Sequence, residues 1–280
     1  MMGRLPLLKL SPKAKETIEL LDVGQNEHGF DPFGMQPEFL RFMLPIVEFL
    51  HDVYFRVEVD GIEHVPDRGR VLLIANHAGQ LPFDAMMIGT TLLLQKRPPR
   101  AVRSMVERWV SELPVLSWVF PRIGQVLGTR ANARALLEGG ASLLVFPEGV
   151  RGISKTYDKA YQLQPFGKGF MRLALETRTP IVPVSVVGSE EQLPAIANIK
   201  PLAEFLGAPS FPITPTWPLL GPLGFMPLPV KYHIRFGEPM LFEGDPDDED
   251  RIIAVMVDEV RRALDALLAE GLARRTGYFF

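Results

Sequence analysis

Three short apolar runs set the architecture this chain can adopt. They are Val71-Leu72-Leu73-Ile74-Ala75, Ser142 to Phe146, and Ile181 to Val187. Each is the length of a strand, rich in branched residues, and free of polar alternation. That is the pattern of a strand covered on both faces. Helical stretches lie between them: Ala85–Leu94, Ala131–Glu138 stopped by Gly139-Gly140, and Lys168–Arg178. Strands alternating with helices predict an α/β fold, with a central, mostly parallel sheet flanked by helices.

Further elements extend this frame. A short helix is expected over Pro12–Leu21, and Pro37 to about Phe55 reads as an N-terminal amphipathic helix. Its Phe39, Phe42, Met43, Ile46, Val47, Phe49 and Leu50 recur at helical spacing. Phe55–Val59, Arg100–Val106, Val126-Leu127 and Tyr232–Phe236 read as strands. Asp247 to about Leu272 reads as a long helix with an acidic start that suits the helix dipole. No Gly/Ser linker or charge block divides the 280 residues, of which 47% are hydrophobic. The expected organisation is an N-terminal helical segment over residues 1–54 and a single-core domain over 55–280.

A net charge of -3 makes nucleic acid a poor partner, although basic residues gather between Lys96 and Arg108. The chain has no cysteine, which excludes disulfides, thiolate nucleophiles and Cys-ligated zinc and fits a cytoplasmic location. Met1–Leu10 lacks the long apolar run of a signal peptide. Phe42–Phe55 is too short to span a bilayer and is interrupted by Glu48, His51 and Asp52. Phe205–Val230 carries no charge but holds seven prolines, so it is not a transmembrane helix. It is either a buried irregular loop or an apolar surface loop at lipid headgroups, which Trp217 and Phe225 would suit.

No G-x-S-x-G, Walker loop, G-x-G-x-x-G or H-E-x-x-H is present. Two clusters carry the remaining chemistry. Asn76-His77 follows the first buried strand, and Asp84 opens the next helix, at an expected N-cap. A carboxylate that fixes the imidazole tautomer lets the ring take a proton from a hydroxyl. With no Ser or Cys nucleophile implied, that hydroxyl belongs to a substrate. The plainer reading is a loop histidine and a helix cap. The second cluster, Phe146-Pro147-Glu148-Gly149-Val150-Arg151, places an acid and an arginine at another strand end, where Arg151 is shaped for a phosphate. The plainer reading there is a turn with a surface ion pair. Arg130 could join the same pocket or be simply solvated.

In order, Asn76-His77…Asp84, Gly128-Thr129-Arg130, Phe146–Arg151 and Ile181-Val182-Pro183-Val184 resemble the glycerolipid acyltransferases, the lysophosphatidate and glycerol-3-phosphate enzymes. The resemblance covers about residues 55 to 190. It implies that His77 is the general base and Asp84 its partner. It also implies that Asn76, Arg130, Glu148, Gly149 and Arg151 bind the acceptor, with the arginines facing a phosphate, and that Pro183 shapes the site. The resemblance implies no metal, no cofactor and no acyl-enzyme. The donor is acyl-CoA or acyl carrier protein, the setting phospholipid biosynthesis and lipid metabolism, and the place the cytoplasmic face of a membrane.

Two features depart from the family pattern. Six residues, not the usual four, separate His77 from Asp84, which implies a longer loop from which Asp84 still folds back. The short Arg130–Phe146 segment and Phe166-Gly167-Lys168-Gly169-Phe170 are similar to the mono- and diacylglycerol acyltransferase branch, which tends to lack the acid that Glu148 supplies. The expected activity is therefore O-acylation of 1-acylglycerol-3-phosphate, with a neutral mono- or diacylglycerol as the alternative. A thioesterase or a non-catalytic lipid-binding membrane module is the reading from another class. Membrane association is expected to be peripheral, through the Pro37–Phe55 helix and the Phe205–Val230 loop. Lys96, Arg97, Arg100, Arg103 and Arg108 are expected to attract anionic lipid.

Overall fold

The strand that leads to His77 is buried along its whole length, with layers of the fold on both sides. The structure is a computed structural model that describes residues 10–79, 81–108, 113–205 and 210–279. Most of the expectation for Met1–Leu10 lies outside these residues, as do Gln80 and positions 206–209. In chain order the strands are β1 (Glu58–Asp60), β2 (Val71–Ala75), β3 (Val102–Val106), β4 (Val126–Leu127), β5 (Ser142–Val145), β6 (Ile181–Val187), β7 (Ala197–Asn198), β8 (Pro212–Ile213) and β9 (His233–Phe236). The helices are α1 (Pro12–Leu20), α2 (Pro37–Phe49), α3 (Phe83–Leu94), α4 (Leu116–Arg122), α5 (Arg130–Glu138), α6 (Val150–Ile153), α7 (Gly169–Thr177), α8 (Ser189–Gln192), α9 (Lys200–Phe205) and α10 (Asp250–Arg274).

The main sheet has the order β1-β9-β6-β2-β5-β3-β4. Every pairing in it is parallel except β6 with β9. The α/β expectation is met, with one antiparallel junction. All five residues of β2 are fully buried because successive side chains serve opposite layers. Val71, Leu73 and Ala75 pack with Met87, Ile88 and Leu92 of α3. Leu72 and Ile74 pack with Leu136 and Leu137 of α5, Met171 and Leu175 of α7, and Ile253 and Val257 of α10. Two-sided cover is the physical reason these runs do not alternate.

The N-terminal helices join this core at Ala14, Leu44 and Leu94, which form one buried cluster across α1, α2 and α3. The expected helix to Phe55 ends earlier, because the chain rewinds into a π turn over Leu50–Tyr54. That turn buries His51, whose Nε2 lies 2.9 Å from Thr91 Oγ1 on α3 and whose Nδ1 lies 2.6 Å from Asp52. Burial pushes the His51 imidazole below its ordinary value, against the pull of Asp52. The strand expected from Phe55 starts only at Glu58, since Phe55 is a core side chain packed on Phe83 and Tyr232.

The basic run does not form a surface patch. Arg100 is buried and donates to the backbone oxygens of Pro66 and Gly69. Arg103 is buried against Asp31, Lys96 pairs with Asp67 at 2.8 Å, and Arg97 pairs with Glu16. Positive charge in the sequence here serves tertiary pairing. The proline-rich loop divides along its length. Phe211, Trp217 and Phe225 cluster and are half-buried, whereas Leu219, Leu220, Leu223 and Met226 are exposed. Among the described residues, no helix is long and apolar enough to cross a membrane.

Candidate active site

His77 sits two residues beyond β2, between the ends of β5 and β6, and its side chain retains 14% exposure. Its Nδ1 lies 2.7 Å from Asp84 Oδ2, so the expected contact forms despite six intervening residues. Asp84 is completely buried and lies in the first turn of α3. It is not the N-cap, a position that Pro82 fills. The carboxylate accepts from two backbone groups, Ala78 N–H at Oδ2 (3.1 Å) and Ala85 N–H at Oδ1 (2.7 Å). With both oxygens accepting, Nδ1 is the donor of the His77 pair. Nε2 is then the ring's acceptor, and it has no protein hydrogen bond among the described residues. Phe146 stacks on the imidazole at 4.0 Å between centroids and 17° between planes, which limits ring rotation.

Three further groups fix the backbone beneath the ring. Asn76 was expected to bind acceptor. Its amide instead exchanges two hydrogen bonds with the Val186 backbone, donating to the carbonyl at 3.0 Å and accepting from the N–H at 2.8 Å. Glu148 was expected to face the acceptor too. It is buried, and its two oxygens accept from His77 N–H (2.9 Å) and Gln164 N–H (2.7 Å). Gly152 packs so closely on His77 that a Cβ there would meet His77 Cβ at 2.8 Å. Gly149 has a φ of +56° and opens the turn leading to Gly152. Pro183 is buried in β6 opposite Ile74, inside the sheet.

The two arginines are not brought together. Arg130 is 60% exposed and donates to Glu176 on α7 through Nε (3.1 Å) and a terminal nitrogen (2.8 Å). Arg151 is exposed beside Gly152 and donates to the Pro165 carbonyl at 2.9 Å. The expected convergence of Arg130, Glu148 and Arg151 on one pocket is therefore absent: Arg130 turns to Glu176, Glu148 faces inward to two backbone N–H groups, and Arg151 stays exposed with one bond to the Pro165 carbonyl.

Sequence reasoning missed a buried charged group behind Glu148. Lys155 Nζ lies 2.8 Å from Glu190 and 3.8 Å from Glu148. Burial pushes the Glu190 carboxyl up, and Lys155 opposes it. Glu191 pairs with Arg275 at 2.6 Å and accepts from Tyr161 Oη. The signal available for these residues was the Gly188-Ser189-Glu190-Glu191 turn directly after an apolar strand. Among the described residues no three histidine or carboxylate side chains converge as a metal site would require.

A family model described as Acyltransferase matches residues 56–187, which spans His77, Asp84, Arg130, Glu148, Arg151 and Pro183. An uncharacterised protein of Mycobacterium tuberculosis is 38% identical over 91% of this chain and 72% of its own length. The chain belongs to the acyltransferase family. A human "DGAT1/2-independent enzyme synthesizing storage lipids" is 23% identical to this acyltransferase over 77% of the chain and 62% of its own length. Human 1-acyl-sn-glycerol-3-phosphate acyltransferase alpha is 28% identical over 52% and 50%. The fold is similar to that of the 1-acyl-sn-glycerophosphate acyltransferase PlsC of Thermotoga maritima. The TM-score is 0.50, with 19% identity, over 85% of this chain and 82% of that one. The acyltransferase is an enzyme of the glycerolipid type that its motifs resemble.

The geometry of Glu148 generates a first prediction. A glutamine has one acceptor oxygen, so Glu148→Gln sets an NH₂ against a backbone N–H. A buried donor left unpaired costs about 1–3 kcal/mol, which a lower urea midpoint will show. Arg130→Ala should barely move that midpoint. An unchanged midpoint in Glu148→Gln with a raised acceptor KM would return Glu148 to the acceptor site.

Proposed function

We propose that His77 Nε2 takes the proton of a glycerolipid hydroxyl as that oxygen attacks the carbonyl carbon of an acyl thioester. The observation that carries this is the Asp84-held, Phe146-stacked imidazole with Nε2 left open. The new C–O bond gives a tetrahedral intermediate. Its collapse breaks the C–S bond, and the proton on His77 passes to the departing thiolate. Asp84 holds Nδ1–H throughout and stabilises the imidazolium. The step needs a donor such as acyl-CoA or acyl carrier protein and no cofactor. A lipid-binding module has no use for such a base, and a thioesterase would differ only in admitting water.

The motifs alone favour 1-acylglycerol-3-phosphate as acceptor. The geometry favours the alternative, a neutral mono- or diacylglycerol, because Arg130 is occupied by Glu176 and Glu148 faces inward. The phosphate reading rests on Arg151, the one expected contact that stays exposed beside the site. A panel of 1-oleoylglycerol, dioleoylglycerol and 1-oleoylglycerol-3-phosphate with labelled oleoyl-CoA separates the two. Faster acylation of a neutral acceptor is expected. Faster acylation of the phosphate, with a higher KM for it in Arg151→Ala, would reverse the assignment. His77→Ala should stay folded and lose about a hundred- to ten-thousand-fold in rate. Acid release without lipid product would make the protein a thioesterase.

We further propose peripheral association with the inner membrane face. Phe42, Ile46, Phe49 and Val53 are exposed along one face of α2 and its π turn. The Tyr54 hydroxyl donates to the Pro227 carbonyl at 2.6 Å and ties the π turn to the loop that exposes Leu219, Leu220, Leu223 and Met226. An apolar surface of this kind inserts among lipids rather than attracting them by charge. Sedimentation with phosphatidylcholine and phosphatidylglycerol vesicles should persist in high salt and fall in a Phe42→Ser, Phe49→Ser double variant. Protein that stays in the supernatant at low salt would refute docking.

A further inference from the structure

The loop from His77 to Asp84 has to be held from outside, because six residues offer more freedom than a tight turn. Gln192, the last residue of α8, does so. It is completely buried, and its Nε2 donates to two carbonyls of that loop, Gly79 O and Leu81 O, both at 3.1 Å. Its Oε1 accepts from the hydroxyl of Tyr232, itself fully buried beside β9. Its backbone carbonyl accepts from Leu228 N–H at 2.6 Å, so the residue is held by its main chain as well as by its side chain. The approach is close: a Cβ on Gly79 would meet Gln192 Nε2 at 2.3 Å and Ser189 O at 2.2 Å. Gly79 also has a φ of +86°, which favours glycine. No other side chain among the described residues has a hydrogen bond to either loop carbonyl.

We propose that Gln192, buttressed by Tyr232, is a positioning residue that sets the His77–Asp84 geometry by fixing the carbonyls of the loop between them. The primary amide is the group required. It offers two N–H donors to two carbonyls and one acceptor to a phenol, a set no other side chain of that size provides. The Tyr232 hydroxyl remains a donor at every relevant pH, because burial pushes it well above its ordinary value. Without the clamp, α3 still holds Asp84 and Glu148 still holds the His77 backbone, but the loop between them loosens and the register of ring against carboxylate shifts with it. A drift of about 1 Å is enough to cost on the order of a hundredfold in rate. The inference rests on the catalytic reading of His77, so its test includes a signal that needs no turnover.

That signal is the low-field proton NMR resonance of the His77 Nδ1–H donated to Asp84, assigned by its disappearance in His77→Gln. Gln192→Met keeps the side-chain length and removes all three polar contacts. The expected result is a resonance broadened or lost through faster exchange, with kcat for oleoyl transfer from oleoyl-CoA to 1-oleoylglycerol down ten- to a hundredfold. KM for oleoyl-CoA should stay within twofold. Tyr232→Phe, which keeps the core ring, should shift both readouts the same way by a smaller amount, and it decides the matter if Gln192→Met does not fold. A wild-type resonance and wild-type kcat in folded Tyr232→Phe and Gln192→Met would overturn the proposal. An inactive wild type whose resonance still weakens in Gln192→Met would refute the catalytic reading and leave the clamp standing.

Discussion

The hydrogen bond from His77 Nδ1 to Asp84 is the constraint on which the site depends. An isolated His–Asp contact at a surface is worth little, because both groups can swing away. Here neither can. Asp84 is completely buried and committed to two backbone N–H groups as well as the ring. The ring is stacked on Phe146, and the backbone beneath it is tied to Glu148. One nitrogen is thereby held and the other presented, which is what the proposed base requires.

Holding that arrangement requires charge inside the protein. Glu148 spends both oxygens on main-chain donors from different segments, so it works as a brace between the His77 loop and Gln164. Such a buried carboxylate needs a counter-charge, and Lys155 supplies one to Glu148 and Glu190 together. Glu191 and Arg275 then connect the turn after β6 to the end of α10. Removing one partner of such a buried pair leaves an uncompensated charge and costs about 3–5 kcal/mol, so these segments are held to one arrangement around the site.

The sheet was legible in the sequence because two-sided burial writes itself as unbroken apolar runs, and β2, β5 and β6 fall where those runs lie. The contact between His77 and Asp84 was legible because both residues flank one loop. What the other polar residues do was not. Asn76 pairs with a backbone 110 positions away, Glu148 reaches back 71 positions to His77, and Arg130 finds Glu176 at 46. A motif gives the residue type and the strand end, but the direction of the side chain is set by a partner the motif does not contain. Lys96 to Arg108 misled for the same reason, since a cluster of positive charge in sequence says nothing of the acids and carbonyls that meet it. Gln192 left no sequence signal of its own: an uncharged amide in a short helix becomes conspicuous only beside the loop it holds.

The most direct test of the account is the turnover of Asp84→Asn beside wild type, with labelled oleoyl-CoA and whichever glycerolipid the wild type acylates fastest. Asparagine keeps the size of the side chain and one acceptor oxygen, but offers an amide N–H where Nδ1 must donate. A folded protein is expected, shown by an unchanged far-UV spectrum, with kcat reduced on the order of a thousandfold or more as the imidazole takes the wrong tautomer. Wild-type turnover in Asp84→Asn would contradict it, because His77 would then need no carboxylate to act.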